Sequence, residues 1–481
     1  MSLSSALANA YSGLVATSRA ADLASNNIAN ALTEGYARRE LALSSTVLGG
    51  HGRGVAVEGT TRIVSPRAIA DRRAAEAADG HAARLSEGLS RLTRVLGEPG
   101  ADGALARRMD AFEQALQLAR DTPESDSARA GLLAAAQDLA RGFNAVSREI
   151  AAIRGEADAA IAREVDSLND SLARIDELNR AIARRPAGSA ERAALEDERA
   201  RLVDTVNAIV PVRIAQRDQG AIALYTPGGA VLLDGRPAQI GFVPAAAVTA
   251  DMTVGAGLAT VTLDGDPVTV GLGEGKLDGG TLGAAFALRD VTGPEANRRI
   301  DALAAGLMQR LEAVDTDATG AGLFTDAGLP HDPAAQAGLA GRLAVNAAVD
   351  PAQGGALWRL RDGLAAPAEG LAGDDTLLSA MVDALAAPQP ADPDTGLAGS
   401  HDMAGLVQGV SGLFQAEAAR LEGDAAFRAG QLLAMREAEL SVSAVDTDAE
   451  LQRLLKIETN YAANARVIET VDFLWRRLME I

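Results

Sequence analysis

From Leu3 the less polar positions fall at Leu7, Ala10, Leu14, Thr17, Ala21, Ala24 and Ile28, in steps of three and four. That spacing is the seam of a helix. Its small side chains bury little area per turn, so the helix depends on close-packed neighbours. Asn26, Asn27 and Asn30 prefer local hydrogen bonds to a helix interior and Gly35 can take a positive φ, which together predict a helix stop followed by a turn. Near the other end, Leu451, Leu454, Leu455, Tyr461, Ala465, Ile468, Val471, Trp475 and Leu478 share one helical face. A helix from about Asp448 to the last residue would be on the order of 50 Å long. Two such terminal helices predict a coiled coil with each other, the rest of each seam being left for neighbouring subunits.

Between them, residues 66–210 read as almost wholly helical. Ile161, Val165, Leu168, Leu172, Ile175, Asn179 and Ile182 keep the four-three alternation. Pro186 and Gly188 interrupt it, and Leu195, Leu202, Val206 and Ile209 resume it, which predicts an antiparallel helical hairpin. Asn179 either fixes the register of that seam or is a solvated side chain at its edge. From Pro211 short β-branched alternations are punctuated by PGG, DG and GDP, the spacing of β-hairpins. GGTLGAAFALRD, residues 279–290, returns the chain to helix, whereas residues 320–400 are rich in Gly, Pro, Ala and Asp, with LAGRLAVNAAV a candidate strand. The expected fold class is therefore mainly α with an inserted small β domain, terminal helices forming a coiled coil, and an elongated multi-domain helical body. The boundaries are 1–40 and 442–481 for the terminal assembly domain, 41–210 and 281–441 for the helical body with 320–400 irregular, and 211–280 for the outer β domain.

Composition narrows what such a scaffold can do. A formal charge of -20 is a poor match for nucleic acid or an anionic membrane, and 3% aromatic residues argue against base-stacking platforms. There is no cysteine, hence no disulfide, thiolate site or cysteine nucleophile. The N-terminus has no secretory-signal pattern and no stretch has the length of a membrane span.

Candidate chemistry is sparse. His51, His81, His331 and His401 are scattered without ligand spacing, and GGHGRG at 49–54 lacks the ending of a phosphate loop, so it reads as a flexible connector. Asp315, Asp317, Thr319, Gly320 and Asp326 occupy positions 1, 3, 5, 6 and 12 of a calcium-loop pattern, but Thr319 and the short Asp326 depart from it, and a helix-ending turn is the favoured reading. Paired acids such as Glu196 and Asp197 read as solvated helix surface. No hydrolase, zincin, dinucleotide or P-loop motif is present, so neither catalysis nor a cofactor is expected.

The segment NNIANALTEGYARRE resembles a signature of the bacterial flagellar axial proteins, the rod, hook and hook-associated components. Asn26, Asn27, Ile28, Ala29, Asn30, Thr33, Gly35, Tyr36 and Arg38 match it, while Leu32 and Glu34 depart. ETNYAANARVIETVDFL resembles the closing motif of the same family, through Tyr461, Ala463, Asn464 and Ala465. The order of helical body, β insertion and GGTLGAAFALRD is similar to that of the hook-associated junction proteins. The resemblance implies a structural adaptor polymerising as the first layer between hook and filament, with Leu14, Ile28, Tyr461, Ile468 and Trp475 as packing residues and Asn26 to Arg38 as the connecting turn. It implies as partners copies of itself in a ring-like helical layer, hook protein, a second junction protein (hook-associated protein 3) and an export chaperone on the C-terminal helix. It further implies export by the flagellar type III route to an extracellular position. Hook-associated protein 3 itself, a hook or rod component, a secreted coiled-coil adhesin and an exported enzyme are the competing readings.

Overall fold

The computed structural model describes residues 3–479 apart from 34, 49, 50, 99, 102, 272 and 274. In chain order the elements begin with α1 (Leu3–Ala29), β1 (Arg39–Leu48), β2 (His51–Arg62), α2 (Pro66–Leu96), α3 (Leu105–Asp121), α4 (Asp126–Ala183) and α5 (Ala190–Ile209). Short strands follow: β3 (Arg213–Gln216), β4 (Ile222–Tyr225), β5 (Val231–Leu233), β6 (Ile240–Gly241), β7 (Thr253–Val254), β8 (Gly257–Leu258), β9 (Val261–Leu263) and β10 (Asp266–Val268). Then come α6 (Gly280–Ala287), a π turn (Leu288–Thr292), α7 (Gly293–Glu312), β11 (Phe324–Asp326), α8 (Leu339–Arg342), β12 (Leu343–Val345), α9 (Arg359–Asp362), α10 (Thr376–Ala386), β13 (Gln389–Pro390), β14 (Ser400–His401), α11 (Met403–Ser443) and α12 (Thr447–Met479). The class is mainly α with small β elements, as the periodicity predicts.

The chain divides into two compact units. The first comprises Met1–Asp79, Asp166–Ile240 and Arg428–Ile481. Here α1 and α12 run antiparallel, since Gly13 faces Asn464 while Thr17 and Asp22 lie beside Leu451 to Tyr461. Leu168, Leu172, Ile175, Asn179 and Ile182 of α4 are all buried, as are Val206 and Ile209 of α5. Each fully buried aliphatic side chain contributes roughly 1.5–3 kcal/mol. Ser189 caps α5 by accepting from the Arg192 amide at 3.2 Å, and the Arg174–Glu198 ion pair at 2.8 Å joins the two helices of the expected hairpin. β3, β4 and β5 form an antiparallel sheet whose Ile222 to Leu224 are buried.

One element of this unit departs from the helical expectation. Residues 39–62, expected to be mostly helical body, form the β1–β2 hairpin, paired from Arg39↔Arg62 to Leu48↔His51 with two bulges. The last four residues of GGHGRG open its second strand rather than a free connector, and Gly49 and Gly50 lie outside the described residues. The alternation in VAVEGTTR is the signal for that strand.

The second unit comprises Gly80–Val165 and Gly241–Phe427. Its core is one cluster drawn from α2, α3, α4, α7, α10 and α11, with Phe112 and Phe324 in edge contact at 5.4 Å. The Gly- and Pro-rich stretch 320–400 wraps this core in short helical turns and paired strands of two or three residues, with β12 starting at Leu343 inside the segment proposed as strand. Beside the π turn lies a buried ion pair: the fully buried Arg289 donates to Asp158 at 2.6 Å and lies over the rings of both Phe242 and Phe286. Arg154, also fully buried, donates to the carbonyls of Arg289, Thr249 and Met252, fixing that loop to α4.

Candidate assembly site at the paired termini

The turn after α1 is built by two asparagine side chains with separate tasks, those of Asn30 and Asn27. The Asn30 side chain donates to the Asn26 carbonyl at 2.9 Å, which also accepts the Asn30 amide at 3.1 Å, and it accepts from the Thr33 hydroxyl at 3.2 Å. Gly35 sits at φ +75°, and a Cβ there would stand 2.8 Å from Arg201 Cγ on α5. Glu34 lies outside the described residues, and the other departing residue, Leu32, is fully exposed. Asn27 is the buried member: its Nδ2 donates to the Arg39 carbonyl at 2.9 Å, and its Oδ1 accepts from the Arg39 amide at 3.1 Å and the Tyr36 hydroxyl at 2.8 Å. One side-chain amide thereby fixes both polar groups of the first hairpin residue.

Charge surrounds this clamp. The Arg39 guanidinium stacks over the Tyr36 ring at 4.8 Å, and it meets Asp197 of α5, which also receives Arg62 at 2.6 Å. Arg39 and Arg62 are register partners at the open end of the hairpin, so one buried carboxylate holds both strands. Asp197 is therefore not solvated surface: the long-range partners that bury it lie far away in sequence, and helix periodicity alone carries no sign of them. Burial pushes the Tyr36 hydroxyl above its ordinary range, against the opposing pull of Arg39. The Arg38 amide donates to the Ser443 carbonyl at 3.0 Å, tying the turn to the end of α11. Glu40 lies between Arg38 at 3.3 Å and Arg453 of α12 at 3.0 Å. The turn thus joins α1, α5, α11, α12 and the hairpin within one unit.

Of the expected packing residues, Leu14, Ile28 and Ile468 are half-buried along the terminal seams, whereas Tyr461 and Trp475 remain 45% and 53% exposed. Asn179 is buried rather than a solvated side chain at the edge of the seam, and its bond from Arg199 of α5 spans the hairpin. It is a buried clamp on β4, donating to the Ile222 carbonyl at 2.9 Å and accepting from the Ile222 amide at 3.2 Å and Arg199 at 2.8 Å. Asn169 grips Ile240 in the same two-pronged way.

The calcium-loop pattern resolves into separate local roles. Asp317 accepts from the Thr319 amide and hydroxyl, the Ala321 amide and Asn346, while Asp315 accepts from the Leu364 amide and Asp326 pairs with Arg342. Among the described residues no group of three His, Asp or Glu side chains is placed to hold a metal ion. His81, His331 and His401 contact different partners, respectively the Gly280 carbonyl, Gln309 and the Ala398 carbonyl. Among the described residues, no helix is long and apolar enough to cross a membrane.

A family model described as the flagellar hook-associated protein FlgK helical domain matches residues 89–329, half of the chain. The chain belongs to the FlgK family. A second model, the flagellar basal body rod FlgEFG protein C-terminal, matches residues 437–481, which contain all of α12 and the end of α11. Among FlgK relatives, flagellar hook-associated protein 1 of Escherichia coli K12 is 29% identical over 296 residues, covering 60% of this chain and 52% of that protein. Flagellar hook-associated protein 1 of Bacillus subtilis 168 is 26% identical over 241 residues, covering 47% of each. The chain spans about half the length of the curated relatives it matches. The flagellar hook junction protein FlgK from Burkholderia pseudomallei aligns with a TM-score of 0.43 at 22% identity, over 53% of this chain and 46% of that one.

Proposed function

We propose that this FlgK-family chain is a structural adaptor of the bacterial flagellum, polymerising as the first layer between hook and filament. The observation that carries the reading is the α1–α12 pair, closed internally along one seam and open along the other, and joined to the helical body through the Asn27–Arg39–Asp197 turn. Half-closed helical seams complete their packing on neighbours, and head-to-tail contacts of that kind propagate along a helical assembly. The partners are copies of this chain, hook protein on one side and a second junction protein on the other. An export chaperone covers the apolar face of α12 beforehand, and the route outward is the flagellar type III channel. The role is mechanical rather than catalytic.

Electron microscopy of cells lacking the gene, with flagellin assayed in the medium, tests the proposal. Hooks without filaments and shed flagellin are expected. Missing hooks would move the chain to the hook or rod, and normal filaments would refute the adaptor role.

A further inference from the structure

The chain is sparing with aromatic residues, having 2 Trp, 4 Tyr and 8 Phe in 481 positions. Two of them are left in the open at the tip of α12, where Phe473 is 61% and Trp475 53% exposed, followed by exposed Leu478 and Met479. Burying a Trp is among the largest single contributions a side chain makes to an interface. An uncovered aromatic tip is therefore costly to keep unless something covers it.

Further back on the same pair of helices lies an apolar groove of about 630 Å³, walled by Ala21, Leu451, Leu455 and Tyr461. Its rim carries Asp22 from α1 and Glu458 from α12, and among the described residues neither has an ion-pair partner. The tip carries the opposite sign: Arg476, held by Asp472 at 2.8 Å, and Arg477, with no ion-pair partner among the described residues. Groove and tip are thus apolar centres with complementary charged rims.

We infer that the groove receives the Trp475 tip of a second copy of this chain, with Arg477 of that copy meeting Asp22 and Glu458. The two features lie on one straight helix, separated by about 18 residues or roughly 27 Å, too far for a tip to reach the groove of its own chain. A contact between different patches of identical subunits is head-to-tail, and each bound copy presents a fresh groove and a fresh tip. The inference rests on the assembly role proposed above and names the contact that would carry it.

The absence of cysteine from these 481 residues supplies a clean test in the whole chain. Ser18, on the groove, and Leu478, on the tip, are replaced by cysteine singly and together, in cells lacking the native copy, and assembled hooks are oxidised and run on a non-reducing gel. The double variant Ser18→Cys/Leu478→Cys is expected to give a ladder of multimers and each single variant none. Trp475→Ala is expected to lower the number of filament-bearing cells at least about tenfold, with Trp475→Phe restoring most of it. Chain present at hook ends without a ladder, or Trp475→Ala assembling like wild type, overturns the contact alone. Wild-type chain absent from hook ends overturns the assembly role, and the contact with it.

Discussion

Replacing Asp197 with Asn tests whether the terminal turn is held by charge. In the native chain this carboxylate is buried and faces Arg39 and Arg62, whose side chains keep 12% and 18% of their exposure. Removing one member of a buried ion pair costs roughly 3–5 kcal/mol because the partner charge is left uncompensated. The residual solvation of both arginines reduces that figure to about 2–4 kcal/mol, a sizeable part of the 5–15 kcal/mol typical of a folded domain. Glu196, the adjacent residue, is the control: it pairs within one helix turn with Arg192 at 3.0 Å and is half-buried, so Glu196→Gln should cost under about 1 kcal/mol. Urea unfolding followed by circular dichroism measures both variants. Hydrogen exchange at the Arg39 amide, which donates to Asn27, reports whether the loss is local to the turn. Equal midpoints for Asp197→Asn and Glu196→Gln would refute the reasoning, and so would unchanged protection at Arg39.

Three further outcomes follow from the geometry. Asn179→Ala leaves the Ile222 amide and carbonyl without their side-chain partner and should destabilise the chain by about 1–3 kcal/mol, read as a lowered urea midpoint. Gly35→Ala sets a Cβ against Arg201 at a positive φ and should cost about 1–2 kcal/mol, whereas Gly229→Ala, also at positive φ but with no neighbour within 4 Å, should cost less in the same assay. Burial pushes the Asp301 carboxyl up to about 6, against the opposing pull of the Gly338 and Ala340 amides that donate to it. The folded chain then holds a proton that the unfolded chain releases near pH 4, so this group's contribution to stability falls as pH rises from about 4 to 6 and is level above that, a change on the order of 3 kcal/mol. Asp301→Asn should gain on wild type between pH 4.5 and 7, and parallel urea midpoints across that range would count against it.

How far the sequence carries the fold depends on the range of the interactions concerned. The seams of α1 and α4 and the hairpin break at Pro186 are encoded by neighbours three and four residues apart, and these were legible. So was the stop after Ile28, because Asn30 and Gly35 act within a few residues of themselves. The β1–β2 hairpin was missed although VAVEGTTR alternates, since its small polar residues give a weak apolar signal. Asp197 was misread, Asn169 passed over and Asn179 left open for a different reason: each meets partners 40 or more residues away, and helix position alone gives a polar side chain no address. The family motif marked Asn27, Tyr36 and Arg38 as important without showing that Asn27 grips the peptide of Arg39, one residue outside the matched positions.

The asparagine clamps also give the molecule a chemical lifetime. Asn27, Asn169 and Asn179 each use the amide nitrogen to donate to a carbonyl and the amide oxygen to accept from the same residue's N–H. Slow hydrolysis of such an amide would keep the acceptor and turn the donor into a second acceptor, facing a carbonyl oxygen with no proton between them. A folded chain cannot rebuild a worn clamp. Its durability is then set by how well these three helical sites hold water and backbone nitrogens away from the side-chain amide, so ageing would loosen the strands at Arg39, Ile222 and Ile240 before it reached the aliphatic core.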